Sequence, residues 1–456
     1  MNRETFNRPA SGYSILDSVN DSLRFTTRKC LSVYRGNLCA NSTFVDPHGA
    51  PARWHEFGEL EGVGWAANAV GGAHQILWFA RVMKEQRLHT IGESILHHAL
   101  EGGFFQEDGR VLPYRDVARD SHYLNYMHSP DYDSWFCPGS LAHICLQLLW
   151  SSDEVQAPLQ TRLRKTAVRT ADWLWKTKTV LDNGWYPRRC KPDGTPHPLN
   201  VWGDPDRQYH NSGDGVYLIW LWVELTRRGY RDCRKEAERA INAFRDNNGA
   251  FGSINHDTYD DHENVSYSVA FRCLSRAAAL LRDSSIFEWA LSNCLHGLER
   301  FEMKDDRNGV TTQGLLYMED SWDTAYLWEN AEAALAYLEA AHATRLRSYE
   351  LKGLTILRTA ALHHYGPHGF LTEGVDWNNH NGQWRKVDGK LFPIHVNGVE
   401  YGAVNYTQPF LNNMHITAPT LYYVETLARK NQTETGTELY DCEDNRLAVL
   451  PDTFTL

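Results

Sequence analysis

The sequence predicts an all-α fold: about twelve amphipathic helices wound in six pairs into an α/α toroid, with a small β-hairpin excursion in the C-terminal part. Three observations predict it. Apolar residues recur at helical spacing in twelve separate segments. Those segments alternate between apolar around most of the circumference and charged along one face. The second helix of each central pair ends in a repeated glycine signal, spaced roughly 60 to 80 residues apart.

In chain order the segments are 15–34, 62–84, 90–100, 135–149, 159–175 and 214–227, then 231–244, 265–281, 286–301, 324–341, 349–363 and 416–428. Stretches 66–80, 141–149, 216–223 and 325–338 are apolar enough for an inner ring. Stretches 162–175 and 231–244 carry the charged face of an outer one. The glycine signals are Gly103-Phe104, Gly184-Trp185, Gly249-Ala250-Phe251, Gly309-Val310 and Gly369-Phe370. Glycine past a helix end accepts the left-handed backbone that terminates it. The last and first segments are free to pair and close the ring; a right-angled helical solenoid is the rival without closure. Residues 372–413 contain no convincing helix, and turn signals at Asp388-Gly389 and Asn397-Gly398 predict a hairpin folding over the cavity mouth. There Arg385 and Lys386 would offer positive charge to a uronate.

No Ser/Gly/Pro-rich linker or block of like charge divides the 456 residues, so one domain spanning 1–456 is expected. A net charge of −11 argues against nucleic acid, which demands clustered Lys and Arg. No apolar run reaches membrane-spanning length, and the first residues lack a signal-peptide core. Nine scattered cysteines, several within apolar helical stretches, read as reduced core thiols of a cytoplasmic protein. The unusual feature is 16 Trp and 22 Tyr, many of them in polar loops.

In such a ring the loops leading into inner helices gather at one end. Here they read Trp54-His55-Glu56, Asp131-Tyr132-Asp133-Ser134-Trp135, Tyr209-His210-Asn211-Ser212-Gly213-Asp214, His256 through Glu263, Met318-Glu319-Asp320-Ser321-Trp322-Asp323, and Asn412-Asn413-Met414-His415. Carboxylates, His and Asn beside Trp and Tyr suit a sugar: aromatic faces stack on pyranose rings and polar groups bond hydroxyls. Asp133-Ser134-Trp135 and Asp320-Ser321-Trp322 repeat one motif before the second and fifth inner helices, which lie opposite in a ring of six. Opposed carboxylates are what glycosidic cleavage requires. The catalytic candidates are therefore Asp133, Asp320, Asp323, Asp214 and Asp261. Each is also placed as a helix cap or a solvated loop acid would be. Asp260 and Glu263 thicken the cluster around Asp261, and mutual repulsion would raise one pKa. Tyr209 and His210 are candidate proton carriers; Trp135, Trp322 and Trp377 are stacking platforms; Asn413 and His415 bind hydroxyls. Trp202 is a further platform, and Glu329 is a charge within an apolar helix.

This architecture and loop chemistry resemble, over most of the chain, the broad group of (α/α)6-toroid carbohydrate-active enzymes: glycoside hydrolases, polysaccharide lyases and sugar epimerases. No diagnostic motif of a single family is present, so the resemblance transfers no catalytic residue. It implies Asp or Glu pairs for a hydrolase, and Tyr, His, Asn or Arg for a lyase or epimerase. The acidic loops put a glycoside hydrolase acting on an oligosaccharide first and a lyase or epimerase second. A non-catalytic sugar-binding protein would look similar. Ala171-Asp172-Trp173-Leu174, Asp182-Asn183-Gly184-Trp185 and Trp322-Asp323-Thr324-Ala325 resemble the repeats of squalene and terpene cyclases. Those imply an Asp general acid and an apolar cavity, but Thr258-Tyr259-Asp260-Asp261 lacks the first Asp of their acid motif. Trp135-Phe136-Cys137-Pro138-Gly139 and Cys294-Leu295-His296-Gly297 faintly resemble the zinc sites of toroidal lanthionine cyclases, without their spacing. No metal is expected, and with no Gly-rich phosphate loop no cofactor is expected either. The partner is a small saccharide.

Overall fold

The computed structural model describes residues 13–52, 59–126, 135–200, 203–254, 260–319, 324–365, 369–377, 384–387, 390–393, 402–404, 406–433 and 436–450. Twelve α-helices are found among them: α1 (Ile15–Lys29), α2 (Ala69–Met83), α3 (Gln86–Glu101), α4 (Pro138–Glu154), α5 (Leu159–Thr177), α6 (Gly215–Arg227), α7 (Arg234–Asp246), α8 (Asn264–Leu281), α9 (Ser284–Trp289), α10 (Leu327–Thr344), α11 (Arg347–Ala361) and α12 (Thr417–Thr426). Helices α2, α4, α6, α8, α10 and α12 pack in that order, and α12 returns to α2, so the inner ring closes. Outside it α3, α5, α7, α9 and α11 each pack on the preceding inner helix, and α1 packs on α12.

Burial follows the difference in sequence character. Helix α6 buries residues 215–226 without interruption, whereas α7 buries only Ala237, Ala240, Ile241, Ala243 and Phe244. A helix surrounded on all sides must be apolar all round; one with a wet face needs a single stripe. One hydrophobic cluster runs through the ring from Ile15 to Leu439. The five glycine signals all take left-handed backbone, with φ of +96° at Gly103, +80° at Gly184, +88° at Gly249, +79° at Gly309 and +71° at Gly369. An L side chain there would be strained, which is why the chain turns at these positions.

Several elements differ from expectation. The first helix stops at Lys29, and Leu31–Tyr34 pairs with Asn37–Ala40 as a hairpin. Its two-residue turn, Arg35-Gly36, has positive φ at both positions, the geometry that matches strand twist. The segment 286–301 remains wound but changes pitch, from α9 into a π-helix (Ala290–Leu295) and then a 3-10 helix (His296–Phe301). Short strands are more numerous than one hairpin. The expected hairpin pairs Trp384–Val387 with Lys390–Pro393. Beyond it, Arg429–Thr433, Gly436–Tyr440 and Arg446–Leu450 form an antiparallel sheet after α12. All nine cysteines are free thiols, and eight are buried. No helix among the described residues is long and apolar enough to cross a membrane.

Candidate active site in the ring axis

All six inner helices contribute to one axial cavity of about 270 Å³. Its upper layer is built from His143 on α4, Tyr217 on α6, Arg272 on α8, Glu332 on α10, and His415 just before α12. Glu332 takes a hydrogen bond from Arg272 and another from His415 Nε2 at 2.7 Å. Burial opposes ionisation of Glu332, but Arg272 and then His415 outweigh it and hold the carboxyl well below the usual range. His415 Nδ1 is buried without a hydrogen-bond partner.

His143 stacks on Tyr217, with ring centroids 4.3 Å apart and planes within 14°. The Gln147 side-chain amide donates to Asn68 Oδ1 at 2.7 Å and lies 3.2 Å from His143 Nε2, which therefore accepts and leaves the ring proton on Nδ1. Burial pushes the His143 pKa down to about 3, so this imidazole is neutral at pH 7.

The lower layer reaches toward the C-terminal ends of the inner helices. Trp78, Trp150, Trp220 and Tyr422 line it with His74, Gln75, Arg276 and Glu339. Arg276 grips Glu339 with two bonds of 2.7 and 2.8 Å, and its guanidinium lies 4.8 Å from the Trp220 ring. Every carboxylate in the lining meets an arginine: Asp153 with Arg228, Glu154 with Arg81, Glu332 with Arg272, and Glu339 with Arg272 and Arg276. Three polar atoms of the lining are buried without a partner: Gln75 Oε1, Trp220 Nε1 and His415 Nδ1. Such atoms cost free energy unless a ligand or water satisfies them.

The residues singled out in the sequence fall in different places. His415 lies in the axial cavity. Asn413 is spent on structure: its amide donates to Ser22 O and Thr26 Oγ1 and its oxygen accepts from Leu371 N, tying α1 to the ring. Asp214 lies just before α6, 1% exposed, with Ser212 Oγ donating to Oδ1 at 2.7 Å and Oδ2 unpartnered. Burial pushes its pKa up to about 6. Asp261 is 59% exposed and clamps Gln208 (3.0 Å) and Arg207 (3.6 Å). Tyr209 and His210 pack edge-on against each other, with His210 exposed. Trp135 is buried, its ring 5.0 Å from the Arg189 guanidinium, and Trp377 is buried against Tyr317. Asp133, Asp320, Asp323 and Trp322 lie outside the described residues, as does Trp202. Glu263, Glu319 and Glu329 are buried around the start of α8, where Asn264 Nδ2 donates to Glu329 at 3.0 Å.

Sequence reasoning missed most of the cavity because its polar groups sit inside apolar helices. A signal was present: His143, Gln147, Trp150 and Glu154 repeat at one-turn spacing, as do Arg272 and Arg276, and His74 and Trp78. Such spacing sets side chains on one face. Cys39, Glu61 and His98 also bring three possible metal-ligand atoms within 4.8 Å of one another. They lie off the axis, and Arg115 Nε already donates to Glu61 at 2.6 Å.

No family model and no curated protein matches this chain. Solved structures do. A sugar epimerase from a ruminal bacterium superposes with a TM-score of 0.59 at 13% identity, over 90% of this chain and 97% of that one. D-mannose isomerase gives 0.56 at 11%, over 91% and 97%. A family 76 glycoside hydrolase from a bovine Bacteroides thetaiotaomicron strain gives 0.52 at 11%, over 91% and 78%. At these identities the likeness is one of fold alone, and that fold is the (α/α)6 toroid.

Proposed function

We propose that this chain is a sugar isomerase or epimerase that moves a proton at the carbon beside the carbonyl of an opened sugar. The observation that carries the reading is the Glu332–His415 pair, whose outer nitrogen is unpartnered, beside a neutral His143. Among the residues lining the cavity one donor and two acceptors are buried without a partner, and a polyhydroxylated ligand can both give and take.

In this reading His415 Nδ1 takes the proton from carbon, and the electron pair moves onto the carbonyl oxygen to give an enediolate. Glu332 keeps the other imidazole proton on Nε2 and stabilises the imidazolium that forms, the role of the carboxylate in a triad. His143 donates from Nδ1 to the carbonyl oxygen as a neutral electrophile. Return of the proton to the former carbonyl carbon, with the neighbouring hydroxyl proton passing to the former carbonyl oxygen, gives isomerisation. Return to the carbon that lost it, after the intermediate has turned its other face to His415, gives epimerisation. Glycosidic cleavage here would need a protonated carboxyl, and each of the four lining carboxylates is instead held by an arginine. An apolar polyene sac is likewise not what these ion pairs form. The epimerase and isomerase among the similar solved structures support the same reading.

A hydrolase centred on the loops before the inner helices is the second reading, favoured by Asp214 with its pKa near 6. The test is deuterium uptake from heavy water at the carbon beside the carbonyl, followed by NMR on D-mannose, D-glucose, D-fructose and cellobiose. We expect uptake in at least one sugar and a loss of about 100-fold or more in His415→Asn. Uptake undiminished in that variant, or reducing ends released from a glycoside with no uptake, refutes the proposal.

A further inference from the structure

The lower half of the cavity has no task in that chemistry. From Glu332 to Glu339 is seven helical residues, about 10 Å along the axis, so the cavity continues well past the reacting groups. What lines it is aromatic: Trp78, Trp150 and Trp220 from three successive inner helices, with Trp150 and Trp220 centroids 5.4 Å apart. His74 lies 5.8 Å from Trp78 and 6.2 Å from Trp150. Burial pushes the His74 pKa down to about 4, so it adds a neutral ring.

Two features mark this region as built to receive something. Trp220 is 2% exposed and lines the cavity, yet its Nε1 donor has no partner. Its ring is fixed by the guanidinium groups of Arg272 at 5.1 Å and Arg276 at 4.8 Å. Those two cations are in turn paired with Glu332 and Glu339. At the rim Arg81 bonds Glu154 on α4 and Glu425 on α12, each at 2.7 Å, and Trp78 Nε1 donates to Glu425 at 2.7 Å. This pins the aromatic wall between three helices.

We infer that the tryptophan-lined lower cavity is a stacking subsite for a second, uncharged pyranose ring, and that the saccharide enters from the C-terminal ends of the inner helices, reducing end first. The inference rests on the isomerase reading for which ring reacts. Sugar rings present apolar C–H faces to indole, and a hydroxyl accepts from Trp220 Nε1. A charged uronate gains nothing there, since among the described residues the lining cations Arg272 and Arg276 are already paired with carboxylates.

The experiment measures binding without turnover. Intrinsic tryptophan fluorescence of the His415→Asn chain is titrated with glucose, mannose and glucuronate, and with a set of reducing disaccharides that differ in linkage. At least one disaccharide is expected to bind tenfold or more tightly than its own monosaccharide, with glucuronate weaker than glucose. Adding Trp150→Ala is expected to erase that ratio, and Trp150→Phe to restore it. A ratio near one for every disaccharide overturns the subsite, as does a ratio that Trp150→Ala leaves intact. Neither result touches deuterium uptake on a monosaccharide, which stands or falls separately. Tight disaccharide binding with no uptake by the native chain would sink the isomerase reading and leave the subsite standing.

Discussion

Replacing Asp214 by Asn separates the two readings of this fold and tests the electrostatics behind them. The carboxyl is buried and has one hydrogen-bond donor, Ser212 Oγ, so burial raises its pKa from 3.8 to about 6. The native state then holds this proton more tightly than the unfolded chain between those two values. Stability contributed by the neutral acid is complete below pH 3.8 and is lost as pH rises through 6. A shift of about two units at about 1.4 kcal/mol each makes the loss about 3 kcal/mol by pH 8. Asn keeps the acceptor for Ser212 and cannot ionise, so the variant should escape that loss. We expect urea unfolding to show Asp214→Asn more stable than the native chain at pH 8, by about 1 to 3 kcal/mol, and equal to it at pH 4. Deuterium uptake by the variant should persist, because Asp214 does not line the axial cavity. A native chain whose stability is flat from pH 4 to 8 relative to the variant would refute the electrostatic argument. Release of reducing ends from a glycoside by the native chain, lost in Asp214→Asn while stability is gained, would instead make Asp214 catalytic and revive hydrolysis.

Two further outcomes can be checked. His364 is buried with Ser18 Oγ at 2.7 Å from Nδ1 and Ser22 Oγ at 3.3 Å from Nε2, and burial pushes its pKa down to about 3. Its contribution is complete above pH 6.5 and is lost as pH falls toward 3. The native chain should therefore lose about 2 kcal/mol more than His364→Gln between pH 7 and pH 5 in denaturant titrations, and equal losses would contradict this. Glu332→Gln strips Arg272 of its closest partner and His415 of its carboxylate. Uptake should drop about 100-fold or more, with unfolding free energy lower by about 3 kcal/mol; unchanged turnover would remove Glu332 from the mechanism.

The ring was legible in the sequence because helical periodicity and helix-ending glycines are local signals, and each of the five glycines does take positive φ. The first strand of the hairpin, Leu31–Tyr34, falls within the stretch that reads as helix because Leu31 and Val33 continue the apolar pattern of α1; only Arg35-Gly36 marks the turn. The late pitch change after Trp289 has no sequence signature that we can identify. His415 could be found because it stands in a polar stretch before an inner helix. Glu332 and Arg272 could not be found the same way. Each sits in an apolar helix, where a charge is tolerated only because its partner arrives from another part of the chain, 60 residues away in this case. Sequence shows the cost of such a residue but not what offsets it. Asn413 shows the reverse: a polar residue in a promising loop whose bonds all go to backbone and hydroxyl groups that no local pattern reveals.

Closure of the inner ring by α12 against α2 has a consequence for biosynthesis. A chain leaving the ribosome presents an open arc of five helix pairs, with the free flanks of α2 and α10 both apolar, until residue 426 has emerged. Those two flanks match the surfaces that α12 covers, so two nascent arcs could seal each other before either seals itself. Misassembly into swapped dimers is the characteristic hazard of such a topology, and truncations that remove α12 should aggregate instead of folding as smaller rings.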